Sequence, residues 1–150
     1  NTFLNPKAHG RKHFALSNPA VESAAARSIG DKVGLRPNAP ELPIEALSGG
    51  NQQKVVVGRW LDTSGKLLIA EDPTAGVDVG AKAEIYRLLE TALDAGLGVI
   101  VVSTDFEEVA RLCHRALVFS QGEIVGELSG EALTIENLIA KASVKSPKAA

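Results

Sequence analysis

Apolar residues in the second half of the chain form short continuous runs that alternate with segments of helical periodicity. Three runs have the length of strands: residues 66–70, 99–102 and 116–119. Such runs are typical of strands covered on both faces, as in a parallel sheet. Between the first two runs, residues 81–95 place Ile85 and Leu89 at helical spacing. The pattern predicts a strand–helix–strand unit with a right-handed crossover, and therefore an α/β fold.

The first third of the chain has a different pattern, because prolines interrupt its apolar positions. Five of the seven prolines lie in the first 46 residues. Asn18 and Pro19 predict the start of a helix and Gly34 predicts its end, so we expect a helix over about residues 21–33.

Turn and capping residues predict the elements of the last third. A short helix is expected over residues 106–113. Gln121-Gly122 predicts a tight turn into an antiparallel hairpin strand over residues 123–128. Thr134 predicts the cap of a last helix.

Composition narrows the classes of function. A chain of 150 residues, 45% hydrophobic and 23% charged, suits one soluble domain with a buried core. Its net charge of −2 argues against a nucleic-acid-binding surface, so no nucleic-acid partner is expected. The single cysteine, Cys113, excludes an internal disulfide, and the single tryptophan, Trp60, is predicted to lie in the core. The sequence begins with Asn1 and has no methionine, which favours a piece of a longer protein.

The most specific stretch is Ser48-Gly49-Gly50-Asn51-Gln52, at the start of a predicted helix. Unpaired N–H groups and the positive end of the helix dipole make such a start an anion site, to which Ser48 adds a hydroxyl donor. Glycine allows a phosphate to approach the backbone closely. For Ser-Gly-Gly alone, a serine N-cap with a flexible lead-in would be sufficient explanation.

The longer stretch over residues 47–54, Leu-Ser-Gly-Gly-Asn-Gln-Gln-Lys, resembles the signature motif of ATP-binding cassette (ABC) ATPases. Its form, and that of residues 79–86, is similar to the sugar-importer branch of that family. The resemblance implies that the signature reaches across a dimer interface to the γ-phosphate of ATP held by another half. It also implies a partial P-loop NTPase (RecA-like) parallel sheet with flanking helices, plus part of an α-helical signature subdomain.

Two acids, Glu71 and Asp72, follow the first strand, where open α/β sheets place their ligands. This stretch resembles the Walker B motif, in which Asp orders the Mg2+ shell and a following Glu polarises the attacking water. Here the order is inverted, with Glu71 at the metal position and Asp72 at the base position. General-base catalysis requires the carboxylate to lie within hydrogen-bond reach of the attacking water. Glu71 is one methylene longer, and Asp72 one methylene shorter, than the family residue at the same position. The inverted order therefore predicts impaired hydrolysis.

Two further positions correspond to family elements. Asp78 falls in the D-loop, a dimer-interface element, and it could equally be an N-cap; both roles can hold. Thr104 falls where the family has a switch histidine, whose charge threonine cannot carry. Thr104 with Glu107 has capping-box spacing, and so does Asp105 with Glu108. Thr104 is therefore interpreted as part of a cap and not as a switch.

The phosphate-binding part of the family pattern is absent from the sequence. No Gly-x-x-x-x-Gly-Lys-Ser/Thr stretch occurs, so the chain alone is expected to hold ATP poorly and not to hydrolyse it. The resemblance thus covers the second half of one nucleotide-binding domain. It implies a helical subdomain region, the C-terminal half of the RecA-like core, and a C-terminal helix with a tail: residues 1–60, 61–130 and 131–150.

The leading hypothesis is a C-terminal part of the ATP-hydrolysing subunit of an ABC-type sugar importer, from the second of two nucleotide-binding halves. The resemblance implies ATP and Mg2+ as cofactors. It implies the other half, an integral-membrane permease and, indirectly, an extracytoplasmic sugar-binding protein as partners, at the cytoplasmic face of the cell membrane. A soluble non-transport ABC ATPase and a non-catalytic dimerisation half are the alternatives. Co-purification with ribosomes or DNA, and with no permease, would favour the first of these.

Overall fold

The computed structural model describes residues 18–63 and 65–143. The first part of the predicted helical region and the last part of the predicted tail lie outside these residues. The chain divides into two compact units, one up to Ile100 and one from Val101 onward. None of the helices in the described ranges has the length and apolar character needed to cross a membrane.

Within the described residues, the first unit contains three α-helices, a short 3-10 helix and a pair of strands. In chain order these are α1 (Pro19–Lys32), the 3-10 turn (Ile44–Ala46), α2 (Gly49–Leu61), β1 (Leu67–Glu71), α3 (Val79–Asp94) and β2 (Gly98–Val102), whose last two residues fall in the second unit. The strand–helix–strand unit of the sequence prediction is confirmed, with β1 and β2 as neighbours in a parallel sheet.

Local capping sets the bounds of α1. The side chain of Asn18 accepts a hydrogen bond from the N–H of Ala20 (3.0 Å), and Pro19 occupies the first turn, where a missing N–H costs nothing. At the other end Gly34 has φ +63°, a conformation that favours glycine. The predicted helix is therefore confirmed, with its start two residues earlier.

Helix α2 packs closely against both other helices because glycines occupy its two contact points. A Cβ added at Gly58 would lie 2.7 Å from Cγ1 of Val33, which follows α1. A Cβ added at Gly50 would lie 2.5 Å from Cβ of Ala81 on α3. Contacts this short leave no room for a side chain, so the two glycines determine how near the helices approach.

The core of the first unit lies between these helices and is predominantly aliphatic. Its buried apolar side chains are Ile29, Val33, Val57, Ala81, Ile85, Tyr86 and Leu89. Ile85 and Leu89 are almost completely buried, as their spacing on α3 predicts, and burying each contributes about 1.5–3 kcal/mol.

Two sequence predictions about burial are wrong. Leu67 and Ile69 on β1 are 56% and 64% exposed, and Ile100 on β2 is also exposed, so one face of these strands is uncovered. Side chains alternate across a strand, and only the opposite set is partly buried. Trp60 is 49% exposed and lies on an open face of α2, outside the core.

As far as residue 143, where the described part of the chain ends, the second unit is a β-hairpin with two α-helices. Its elements are α4 (Phe106–Leu112), β3 (Arg115–Ser120), β4 (Glu123–Ser129), the 3-10 turn (Gly130–Ala132) and α5 (Ile135–Ala142). The turn between the strands has positive φ at Gln121 and Gly122, as the sequence predicts. Strand β3 pairs antiparallel with β4, with an irregularity after Val118. A small core joins these elements: Ala116, Val118, Leu128, Leu133 and Leu138.

Candidate functional site

The start of α2 forms an exposed hydrogen-bonding edge. Ser48 is the N-cap, and its Oγ accepts from the N–H of Asn51 at 3.5 Å and from the side-chain Nδ2 of Asn51 at 3.0 Å. With its oxygen engaged as an acceptor, Ser48 retains its hydroxyl hydrogen for an outside acceptor. Gly49 is exposed beside it, at the first helical position, where backbone N–H groups lack an intrahelical partner.

The start of α3 lies directly beside the start of α2. Asp78 caps α3, accepting from the N–H of Ala81 at 3.0 Å. The position of a Cβ on Gly50 is 3.9 Å from Oδ2 of Asp78, and that of a Cβ on Gly49 is 3.8 Å from the carbonyl oxygen of Gly76. We call this surface, formed by Ser48, Gly49, Gly76 and Asp78, the signature edge. The N-termini of α2 and α3, each with a partial positive charge, lie side by side there, next to the carboxylate of Asp78.

Within the signature stretch, Gly50 has a packing role. It is buried against Ala81, so its lack of a side chain serves the approach of the two helices. Gly49 is the glycine whose backbone is open to an approaching anion.

Asn51 and Gln52 use their amides to order the chain around the edge. Nδ2 of Asn51 donates to the carbonyl oxygen of Arg36 at 2.6 Å, and its Oδ1 accepts from the N–H of Arg36 at 3.4 Å. Nε2 of Gln52 donates to the carbonyl oxygen of Leu47 at 2.9 Å. Both side chains therefore fix the loops that lead into α2.

Lys54 connects α2 to α3 and to the residues that follow α1, a role that sequence reasoning missed. Its side chain is 8% exposed, and Nζ donates to the carbonyl oxygen of Gly34 at 3.1 Å and forms an ion pair with Glu84. The hydrogen bond from Lys54 lowers the pKa of the Glu84 carboxyl, and the charges of Lys54 and Arg87 act in the same direction. Helical spacing was the signal that could have indicated this contact, because Lys54 is one turn after Gly50 and therefore lies on the same face of α2.

The two acids of the Walker B-like stretch are both exposed at the end of β1. Asp72 has φ +40°, in the left-handed region that Asp tolerates better than most side chains, and its carbonyl oxygen accepts from the N–H of Ala75 at 3.0 Å. Nε2 of Gln53 donates to the carbonyl oxygen of Pro73 at 2.7 Å. The signature helix is thus tied directly to the loop that carries these acids.

The chemistry of this loop fits a hard cation only in part. Carboxylate oxygens are ligands that Mg2+ prefers, and Glu71 presents one at the strand end. Among the described residues, however, no three His, Cys, Asp or Glu side chains are grouped to hold a metal ion. Mg2+ is commonly bound through one or two carboxylates together with waters and substrate phosphates, and Glu71 could supply one such contact.

Thr104 lies in the second unit and does not cap α4. The N-cap is Asp105, whose Oδ1 accepts from the N–H of Glu107 at 3.0 Å and of Glu108 at 3.3 Å. Of the two capping pairs open in the sequence, the structure therefore selects the one that begins at Asp105. Thr104 itself is exposed. At Cys113, directly after the end of α4, burial raises the pKa of the thiol, and the charge of Glu108 adds to this effect.

Comparisons with known proteins bear on the fold of the chain and on its relatives. Solved ATP-binding cassettes of ABC transporters share the fold: one superimposes with a TM-score of 0.70 over 89% of this chain and 53% of its own, at 22% identity. Another, a dimeric cassette in a post-hydrolysis state bound to ADP and Pi, has a TM-score of 0.64 over 81% of this chain and 52% of its own, at 22% identity. The fold is that of part of an ABC ATPase cassette.

The sequence relatives are ATP-binding proteins of import systems. A ribose import ATP-binding protein of Rhizobium meliloti is 41% identical over 87% of this chain. A putative ribose/galactose/methyl galactoside import ATP-binding protein of Albidiferax ferrireducens is 45% identical over 85% of it. No family model matches the chain. The chain is homologous to ATP-binding proteins of ABC-type sugar import and spans about a quarter of the length of these relatives (25% in both cases).

Proposed function

We propose that this chain supplies the signature side of a composite ATP site in an ABC ATPase that drives sugar import. The observation that carries the proposal is the signature edge, where the N-termini of α2 and α3 meet with Ser48 and Gly49 exposed. Anions bind favourably at such positions. The names of the relatives support ATP as the anion and ribose or a related sugar as the cargo of the complete system.

In this site the chain's residues stabilise the γ-phosphate as its bond to the β-phosphate breaks. The Ser48 hydroxyl and the Gly49 N–H would donate to the γ-phosphate oxygens of an ATP held by the other nucleotide-binding half. Donors already aligned by a helix need no reorganisation as charge develops, which is why they lower the barrier. Mg2+, when bound, would neutralise phosphate charge. Asn51 and Gln52 hold the loops that present Ser48.

The chain's own nucleotide site would turn over slowly or not at all. Glu71 would reach the Mg2+ shell through water, and Asp72 is one methylene shorter than the glutamate expected at the base position. Thr104 offers a neutral hydroxyl where the family places a histidine. A division of labour follows, with one composite site working and the other binding nucleotide with little hydrolysis.

The proposed function implies a division of the chain into three regions. Part of the helical subdomain lies up to about residue 60, and α2 leads from it into the core. Residues 61–130 form the C-terminal half of the RecA-like core, and residues 131–150 contain the last helix. In the complete protein, closure of the two halves would drive a permease at the cytoplasmic face of the membrane, and a sugar-binding protein on the other side would supply the substrate.

Restoring the usual order of the two acids tests whether their inversion limits hydrolysis at the second site. In the full-length protein, the double variant Glu71→Asp/Asp72→Glu restores the order in which a longer base can reach water, so we expect steady-state ATP turnover to rise by about tenfold at the second site. The measurement is phosphate release per nucleotide-binding half, with turnover at the first site abolished by substitution of its own base.

The control is Glu71→Gln/Asp72→Asn, which has no carboxylates at these positions and should leave that turnover at background. If restoring the order produces no increase over this control, the inversion does not limit hydrolysis.

A further inference from the structure

The contact between Lys54 and Glu84 lies directly behind the signature edge. Lys54 is one turn beyond Gly50 on α2, and Glu84 is one turn beyond Ala81 on α3. Gly50 and Ala81 are themselves in contact, so the pairs Gly50/Ala81 and Lys54/Glu84 are successive contacts along the interface between α2 and α3.

The charge of Lys54 is placed where only fixed partners can stabilise it. Its side chain is nearly buried, whereas that of Glu84 is 47% exposed. A buried ammonium is costly unless it is paired and hydrogen-bonded, and Lys54 meets this need with Glu84 and with the carbonyl oxygen of Gly34. A movement of α2 relative to either neighbour would break one of these bonds.

We propose that Lys54 is a positioning residue, which with Glu84 holds Ser48 and Asp78 in one fixed geometry so that both meet the opposing half together. The inference rests on the proposed function, because it concerns the alignment of the same donors. Lys54 touches no reacting atom. It acts on the phosphate only through the position of the helix that Ser48 caps.

The kinetic test uses Lys54→Met in the full-length protein. Methionine is similar in length to lysine and carries no charge. Glu84, the former partner of Lys54, is 47% exposed, so its charge stays in contact with water and no charge is left buried. Because small misplacements of catalytic groups cost much rate while nucleotide is held mainly by the other half, we expect kcat to fall by about tenfold and KM for ATP to stay within about twofold. Glu84→Gln removes the counter-ion but keeps a side-chain oxygen that can accept from Nζ of Lys54, so it should lower kcat in the same way but less. Glu90→Ala, which changes an exposed acid farther along α3, should match the parent.

Hydrogen exchange provides the second measurement. In Lys54→Met the amides of Gly49 to Asn51 and of Val79 to Ala81 should exchange faster together, whereas those of α5 should not change. Turnover is normalised to bound ATP, so that a loss of folded protein does not count as a loss of kcat. Should Lys54→Met fail to fold, Glu84→Gln alone tests the positioning role: a lowered kcat supports it and an unchanged kcat overturns it.

Three results would overturn the proposal: an unchanged kcat in folded Lys54→Met, a change confined to KM, or faster exchange at only one of the two helix starts. Ser48→Arg is assayed in parallel, so that the proposed function and the positioning role of Lys54 are tested separately. If Ser48→Arg abolishes turnover while Lys54→Met leaves kcat unchanged, only the positioning role is wrong. If Ser48→Arg retains full turnover, the proposed function fails, and the positioning proposal fails with it.

Discussion

Ser48→Arg in the full-length protein is expected to lower ATP turnover by about 100-fold or more, with ATP binding largely retained. Loss of one aligned donor at a developing charge costs about 10²–10³ in kcat. Arginine also places a long side chain at the exposed start of α2, where it would prevent close contact with a phosphate held by the other half. The measurement is steady-state phosphate release at saturating ATP, alongside nucleotide binding at equilibrium.

Thr134→Arg is the matched control for the loss of a helix cap. Thr134 caps α5 in the other unit, where its side chain accepts from the N–H of Asn137 at 3.2 Å. Removing either cap should cost about 1 kcal/mol of stability. Only Ser48→Arg should reduce turnover. Turnover at the parent rate in Ser48→Arg would exclude the cross-interface role and favour a half that serves only for dimerisation.

Gly50→Ala is expected to destabilise the protein by about 1–3 kcal/mol, because its new Cβ would lie 2.5 Å from that of Ala81. The double variant Gly50→Ala/Ala81→Gly removes the clash and should recover most of this loss. Gly49→Ala is the matched control, since its nearest non-local atom is 3.8 Å away, at ordinary contact distance. The measurement is the urea midpoint of the full-length protein for each variant.

Non-additivity between the two substitutions is the decisive quantity. A coupling of about 0.5–3 kcal/mol is expected for residues in direct contact. If Gly50→Ala is as stable as Gly49→Ala, or if Ala81→Gly recovers nothing, then Gly50 does not control the approach of the two helices.

Much of the fold could be predicted because its elements are specified locally. Asn18 with Pro19 and Gln121 with Gly122 are short-range signals, and the structure places a helix start and a turn where they predict. Burial of β1 was mispredicted because an apolar run does not reveal what covers it. One face bearing Leu67 and Ile69 is open among the described residues.

The chemistry of the site could be inferred from the motif, but its internal organisation could not. Ser48 and Gly49 follow from what a helix start does to an anion. That Gly50 packs on Ala81, and that Lys54 pairs with Glu84, depends on contacts between residues distant in the sequence. A single sequence does not reveal which of its many charges meet.

The most direct test of the central claim is whether ATP covers Ser48. Ser48→Cys is introduced into full-length protein whose native cysteines have been replaced, with hydrolysis blocked, and the rate of reaction with a small anionic thiol reagent is measured with and without ATP. Glu90→Cys, on an exposed position of α3, is the reference. We expect saturating ATP to slow modification at position 48 by about tenfold or more and to leave position 90 unchanged. Equal rates at position 48 with and without bound ATP would contradict the account.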